Sequence, residues 1–351
     1  MRYLLVINAA GNVMLADVDN DIRMPIGAPL TADQRSRVST AVWSAQGQWT
    51  AWSVDSADLD GIREVRMHDE ESDQAGTLVQ SVSAFYMCPS PCGRWLSHLS
   101  PGPLGLELAV SNVTTGEIHI VERGQPMFWS WAPGATQLAV HVENRVLVSD
   151  IAGGSTRVLT DDAGPFVTPC WLPGGSVLYA VGDRIVATGP DDAVTTLVAN
   201  GSSGRFSLDP EGQRLAYIAT TGSDATLLIL DLLSLTPTEV TSAPVVAFFW
   251  SPDGRRLAAL TATGGGLVQW LILDGSDTLR LAPFRSTRSW AGTVLSFFEQ
   301  YAQSHNVWSS DATALVVPAV GEEGRSGALV QTIDSPTRCQ WIPDAELAWW
   351  A

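Results

Sequence analysis

The sequence contains no lysine: all 20 basic residues are arginine. That excludes Schiff-base chemistry, a pyridoxal-phosphate site and a Walker lysine, because each needs a lysine amine. Basic charge of any kind is scarce. Asp and Glu number 37 against those 20 arginines, a net charge of −17. Such a surface repels phosphate backbones and anionic lipid, which argues against nucleic-acid and membrane partners. Long hydrophobic runs are missing too: none approaches the roughly 18 residues of a membrane span. The 4 cysteines (88, 92, 170 and 339) are too few and too scattered for a disulfide scaffold. The opening residues, Met1 to Asn8, carry one arginine and a very short apolar stretch without a small-residue cleavage site. They read as a strand rather than a secretory signal, so the cytoplasm is the expected location. The Ala-, Gly- and Arg-rich usage is that of a high-GC bacterial genome.

What the chain has is a repeat. An aromatic residue ends an apolar run, a tight polar turn follows, and a second run opens with Leu-Ala or similar. The sharpest copy is Trp250-Ser251-Pro252-Asp253-Gly254-Arg255-Arg256-Leu257-Ala258. In such a turn Pro presets φ and Gly accepts positive φ. The mark falls at 43, 89, 131, 171, 208, 250 and 308, and one further period lands on Trp350. The spacings are 46, 42, 40, 37, 42 and 58 residues. Between marks lie short runs rich in Val, Ile, Leu and Thr, bounded by Gly, Asp and Asn, which read as strands. Four strands per period, A to D, with seven or eight periods predict an all-β propeller of four-stranded antiparallel blades. Eight blades is the count, with seven as the alternative if one degenerate copy is not a blade. The whole chain, 1–351, then forms one propeller domain. Residues 1–30 supply strands B, C and D of the last blade and 342–351 supply its strand A, which closes the ring without a free edge.

The signature resembles the propeller repeats of the TolB C-terminal domain and of prolyl-oligopeptidase-type propellers, a WD40-like architecture. Trp250 to Ala258 carry the resemblance, with Trp308 to Asp311 and Ser90 to Leu96 as looser copies. It spans essentially the whole chain and implies fold, not activity. A TolB-type protein would add an N-terminal α/β domain. An oligopeptidase would add a hydrolase domain with Gly-x-Ser-x-Gly, and no such string occurs here.

In this fold the start of strand A lies near the channel mouth, where many loops converge and ligands collect. Three residues before each mark the column reads Thr40, Tyr86, Phe128, Thr168, Arg205, Ala247, His305 and Leu347. Its Arg, His and aromatics predict ligand contacts, with Arg205 as partner for a carboxylate or phosphate. The plainer reading pairs Arg205 with one of the chain's own carboxylates. The 58-residue spacing marks an insertion, residues 284–304, before the seventh mark. It contains Arg288 and Trp290, and Leu295, Phe298 and Ala302 recur at helical spacing, which predicts a short helix near 290–303. That helix lines a binding mouth beside Tyr301 and His305, plugs the hole of a wide ring, or does both. A column on strand B places Trp52 and His98 in adjacent blades near the same face. His141 is one step out of register with His98, which argues against a two-histidine metal site. No spacing among the five histidines suits a metal, and no cofactor is expected.

Other signals are weak. Cys88 and Cys92 read as a buried thiol and a turn thiol. Asp17, Asp19 and Asp21 lack the glycine and glutamate of a calcium loop. Asp55, Asp58 and Asp60 read as a solvated loop, and Gly153-Gly154 as a turn. Trp129, Trp290 and Trp349 stand off the repeat mark and are free for another role. The expected function is a binding module for a small anionic molecule, a peptide or a protein partner at the channel mouth. The alternative is a cofactor-independent lyase, cyclase or hydrolase with His305 and Tyr301 as acid and base. High net charge and a closed ring predict a monomer.

Overall fold

In the computed structural model, which describes residues 2–26, 38, 40–55, 63–103, 105–151 and 155–351, eight antiparallel sheets succeed one another along the chain. Seven have four strands and one has three. The molecule is an eight-bladed β-propeller. The fifth blade is representative: Ser202–Leu208, Arg214–Thr221, Asp224–Asp231 and Thr236–Thr241 run from the axis outward. Burial falls in the same direction. The second strand of that blade has a fully buried centre, whereas the fourth is mostly exposed.

Both chain ends build the last blade. Leu347–Trp350 is its inner strand and pairs antiparallel with Tyr3–Ile7, Leu4 opposite Trp350 and Ile7 opposite Leu347. Val13–Asp17 and Ile22–Pro25 complete it. Ile342 and Pro343, expected in this blade, instead end the outer strand Cys339–Pro343 of the seventh. The seventh blade is the three-stranded one. Its inner strand shrinks to a bridge between Trp308 and Leu315, because the preceding residues are wound into a helical turn that closes with His305 N–H on the Tyr301 carbonyl.

The repeat signature has one geometry throughout. The residue four after each mark adopts positive φ: Gly47, Gly93, Ala135, Gly175, Gly212, Gly254 and Ala312, at 53° to 83°. Its N–H closes the turn on the carbonyl one residue after the mark. The Ser or Asp at that position receives the amides that reopen the chain, as Ser251 does from Arg256 and Asp209 from Gln213 and Arg214. The mark tryptophans stitch blades together. Trp131, Trp171, Trp250 and Trp308 each donate the indole N–H to the carbonyl just before the preceding mark, on Cys88, Ser130, Ser207 and Phe249. Each such bond contributes on the order of 1 kcal/mol to the seam.

The off-mark tryptophans are also structural. Trp129, Trp290 and Trp349 are each at most 2 % exposed, so none is free for a surface role. All four cysteines are free thiols, Cys88 buried and Cys92 partly so. Asp17 accepts the amides of Asp19 and Asn20, an ordinary Asx turn. Asp58, Asp60, Gly153 and Gly154 lie outside the described residues, as does the side chain of Asp55. No helix among the described residues is long and apolar enough to cross a membrane.

Candidate functional site

The insertion supplies helix α1 (Arg288–Thr293), a 3-10 turn (Leu295–Phe297) and helix α2 (Phe298–Tyr301). Thr287 caps α1 by accepting the Trp290 N–H. Leu295, Phe298 and Tyr301 turn inward and are at most 7 % exposed. They join the main core with Phe248, Phe249 and Trp308, and burying a side chain the size of Phe298 contributes about 2–3 kcal/mol. The insertion therefore plugs the ring, as one of the two sequence readings predicts.

The column that begins strand A grips this plug. The Arg205 guanidinium donates to Glu299 of α2, with Nε 2.6 Å from Oε1, and lies 4.5 Å over the Phe298 ring. The Tyr86 hydroxyl donates to the Gln300 carbonyl at 2.7 Å and sits 2.9 Å from Ser304 Oγ. Thr168 donates to Gln300 Oε1. Phe128 packs edge-on against Phe297, ring centroids 5.9 Å apart. Gln300, only 2 % exposed, is the hub. Its Oε1 accepts the Trp129 N–H at 2.8 Å, and its Nε2 donates to the Trp129 carbonyl at 3.0 Å and the Tyr86 oxygen at 3.2 Å. The plug thus imitates a neighbouring strand to Trp129.

His305 lies inside this assembly, not at its rim. It is 4 % exposed, its Nδ1 is 2.8 Å from Ser304 Oγ, and its ring packs on Trp349 at 4.3 Å. Burial pushes its pKa down to about 3, so the imidazole is neutral. Burial likewise raises the Tyr301 and Tyr86 hydroxyls above the ordinary phenol range. His98 is 1 % exposed, bonded to Ser111 and held down to about 4 by burial. His141 gives Nδ1 to the Val167 carbonyl and is also depressed by burial. Trp52 packs between the last and first blades with Leu15 and Val54. Trp52, His98 and Trp290 thus lie in the core and line neither of the cavities described next. Arg288 is exposed at the start of α1. The described residues hold no cluster of three metal-ligating side chains.

Among the described residues, two of the cavities beside the plug lie at the mouth. One, about 500 Å³, is mostly apolar, with Tyr86, Leu99, Leu106, Trp129 and Tyr301 among its walls. The other, about 620 Å³, holds the Arg205–Glu299 pair and the hydroxyls of Ser203, Ser286 and Ser296. Phe128, Phe166 and Phe297 border both. Phe85 and Phe297 are 40 % and 46 % exposed at this mouth, large apolar surfaces that water solvates poorly. The column and the insertion brought Arg205, Tyr86, Phe128 and Tyr301 to one place, as their sequence positions imply. Sequence reasoning did not single out Gln300, Glu299, Phe297 or Phe166. The first three lie within the insertion, but helical spacing points to its apolar face and not to its polar one. Phe166 carries no repeat signal.

No protein-family model matches this sequence, and no curated protein matches it. Similarity appears among solved structures. A eukaryotic initiation factor superposes with a TM-score of 0.63 at 13 % identity, covering 100 % of this chain and 98 % of that one. A dihydro-heme d1 dehydrogenase gives 0.62 at 14 %, covering 99 % and 74 %. Prolyl endopeptidases give 0.56 at 12 %, covering 95 % of this chain and 55 % of theirs. The last bears out the sequence resemblance as one of fold. Binding and enzymatic propellers both stand among these likenesses, and at such identity they establish the β-propeller alone.

Proposed function

We propose that this protein is a binding propeller that takes an apolar-bearing peptide or protein segment at the plugged mouth. The observation that carries this reading is the 500 Å³ apolar cavity flanked by exposed Phe85 and Phe297. Its floor residues Tyr86 and Trp129 are held by Gln300, so the pocket is preformed and a ligand does not have to order it. A small anion has less to favour it. Arg205 is already paired with Glu299, and an anionic ligand would have to compete with that carboxylate. Acid–base chemistry at His305 has no support in this arrangement. The ring borders neither cavity and is neutral, with its Nδ1 occupied by Ser304.

Selection of random displayed peptides on the purified protein tests this. Enriched sequences carrying Phe, Trp or Leu, with affinity lost at least ten-fold on Leu106→Glu, are the expected result. Enriched peptides indifferent to Leu106→Glu place binding elsewhere and overturn it. Enrichment of acidic sequences without apolar residues returns the site to the anionic ligand.

A further inference from the structure

The two cavities differ in chemistry but share a wall. The apolar one offers few polar groups, the Thr293 and Tyr301 hydroxyls among them. The other offers donors: the Arg205 guanidinium, its side chain 35 % exposed, and the hydroxyls of Ser203 and Ser286, that of Ser296 being given to the Ala291 carbonyl. Glu299 does not exhaust that guanidinium. Only Nε makes a short bond, while NH1 and NH2 stand 3.5 Å from the Val246 carbonyl and Glu299 Oε2. A guanidinium carries five N–H donors, and these bonds use three of them in a residue that lines the cavity. Its charge is balanced by Glu299, whose side chain is 6 % exposed. A neutral acceptor can use the remaining donors without displacing the carboxylate. Desolvating a second anion beside Glu299 would instead be costly.

Phe297 sets the distance between the two halves. It breaks the helical path of the insertion, with φ −133° and ψ 39°, and this break carries its ring outward between the cavities. Phe128 braces it on one side, and Phe166 packs on Phe128 at 4.5 Å. A ligand spanning both must pass this ring.

Resting on the binding role proposed above, we infer that the mouth is a two-anchor site for a bulky apolar group joined to a neutral amide carbonyl. The apolar group enters beside Phe85 and Leu106, the carbonyl accepts from Arg205, and Phe297 limits how much lies between them. An N-acylated, amidated apolar amino acid within a peptide has this chemistry. So does a small amide metabolite, and length dependence distinguishes the two.

The test uses ligand-observed NMR on the whole chain with five probes: toluene, N-acetyl-L-phenylalaninamide, N-acetylglycinamide, N-acetyl-L-phenylalanine and N-acetyl-Phe-Phe-amide. Wild type is expected to bind toluene, and the phenylalaninamide at least ten-fold more tightly than the glycinamide. Arg205→Met combined with Glu299→Gln keeps the pair neutral. It is expected to weaken the phenylalaninamide at least five-fold and leave toluene unchanged. Phe297→Ala, at an exposed position that leaves the fold intact, is expected to favour N-acetyl-Phe-Phe-amide at least five-fold over wild type. Gain with further residues on the probe points to a peptide, and no gain to a small amide. Toluene binding with an amide that ignores both variants overturns this inference and leaves the binding role standing. A carboxylate probe ten-fold tighter than the amide also overturns it. Failure of toluene and amide alike overturns both.

Discussion

Arg205 and Glu299 are joined across 94 positions of sequence, one on the inner strand of the fifth blade and the other on the plug. The bond is the ring's polar hold on the insertion, and it places a nearly buried carboxylate beside a partly exposed cation. Arg205→Ala strands that carboxylate. Removing one partner of a buried pair costs about 3–5 kcal/mol, less where the partner reaches solvent. A loss of about 1–3 kcal/mol is expected in urea unfolding. Adding Glu299→Gln should recover more than half of it.

Gln300 carries more of the plug's specificity than its size suggests. Gln300→Leu keeps the volume but deprives the buried Trp129 N–H of its partner, while the Trp129 carbonyl keeps the Gln303 amide. One unsatisfied buried group costs about 1–3 kcal/mol. The expected unfolding midpoint shift corresponds to about 1–3 kcal/mol. No loss for Gln300→Leu beside a clear loss for Gln300→Ala would show that packing, not hydrogen bonding, holds the plug.

The glycines of the repeated turn differ in what an added methyl would meet. Gly254 has φ +68° and ordinary contact distance to Pro210, so Gly254→Ala should cost about 1–2 kcal/mol from backbone strain alone. Gly212 has the same φ, but its Cβ would collide with the Pro173 ring. Gly212→Ala should therefore be clearly the worse in matched thermal melts.

Acid should weaken the fold before carboxylates begin to protonate. His98 and His305 are held down to about 4 and about 3, below the ordinary 6.5. Folded-state pKa values below the unfolded ones mean that only the unfolded chain takes protons between those limits. Stability is then complete above pH 6.5 and falls toward pH 4, by at most about 1.4 kcal/mol per pH unit for each histidine. Urea midpoints at pH 7, 5.5 and 4.5 measure the slope. His305→Phe should flatten it, and an unchanged slope would mean that His305 titrates normally.

The blade count was legible because the turn is built from local rules: a mark, a Ser or Asp acceptor in five of the seven copies, and a residue at positive φ four positions on. Closure followed from the strand pattern of Tyr3 to Pro25. The site was legible only in outline. Tyr86, Phe128, Thr168 and Arg205 stand in one column because the repeat places them there, yet their partner proved to be the chain's own insertion. Nothing local in Glu299 or Gln300 announces that they face the column, since one residue of rotation on a helix decides it. Trp52 and His98 illustrate the opposite failure. Both lie on the second strands of their blades, as the column implies, but their side chains are buried in the packing.

Because Tyr3–Ile7 and Leu347–Trp350 run antiparallel, Ala351 comes to rest against Tyr3, its N–H on the Tyr3 carbonyl. Tension applied through both ends would therefore load one ladder bond at a time, peeling the seam like a zipper rather than shearing it. Whatever is fused before Arg2 and after Ala351 leaves the ring at a single point. Pulled apart, the two would open the last blade at low force while seven blades and the plug stay folded.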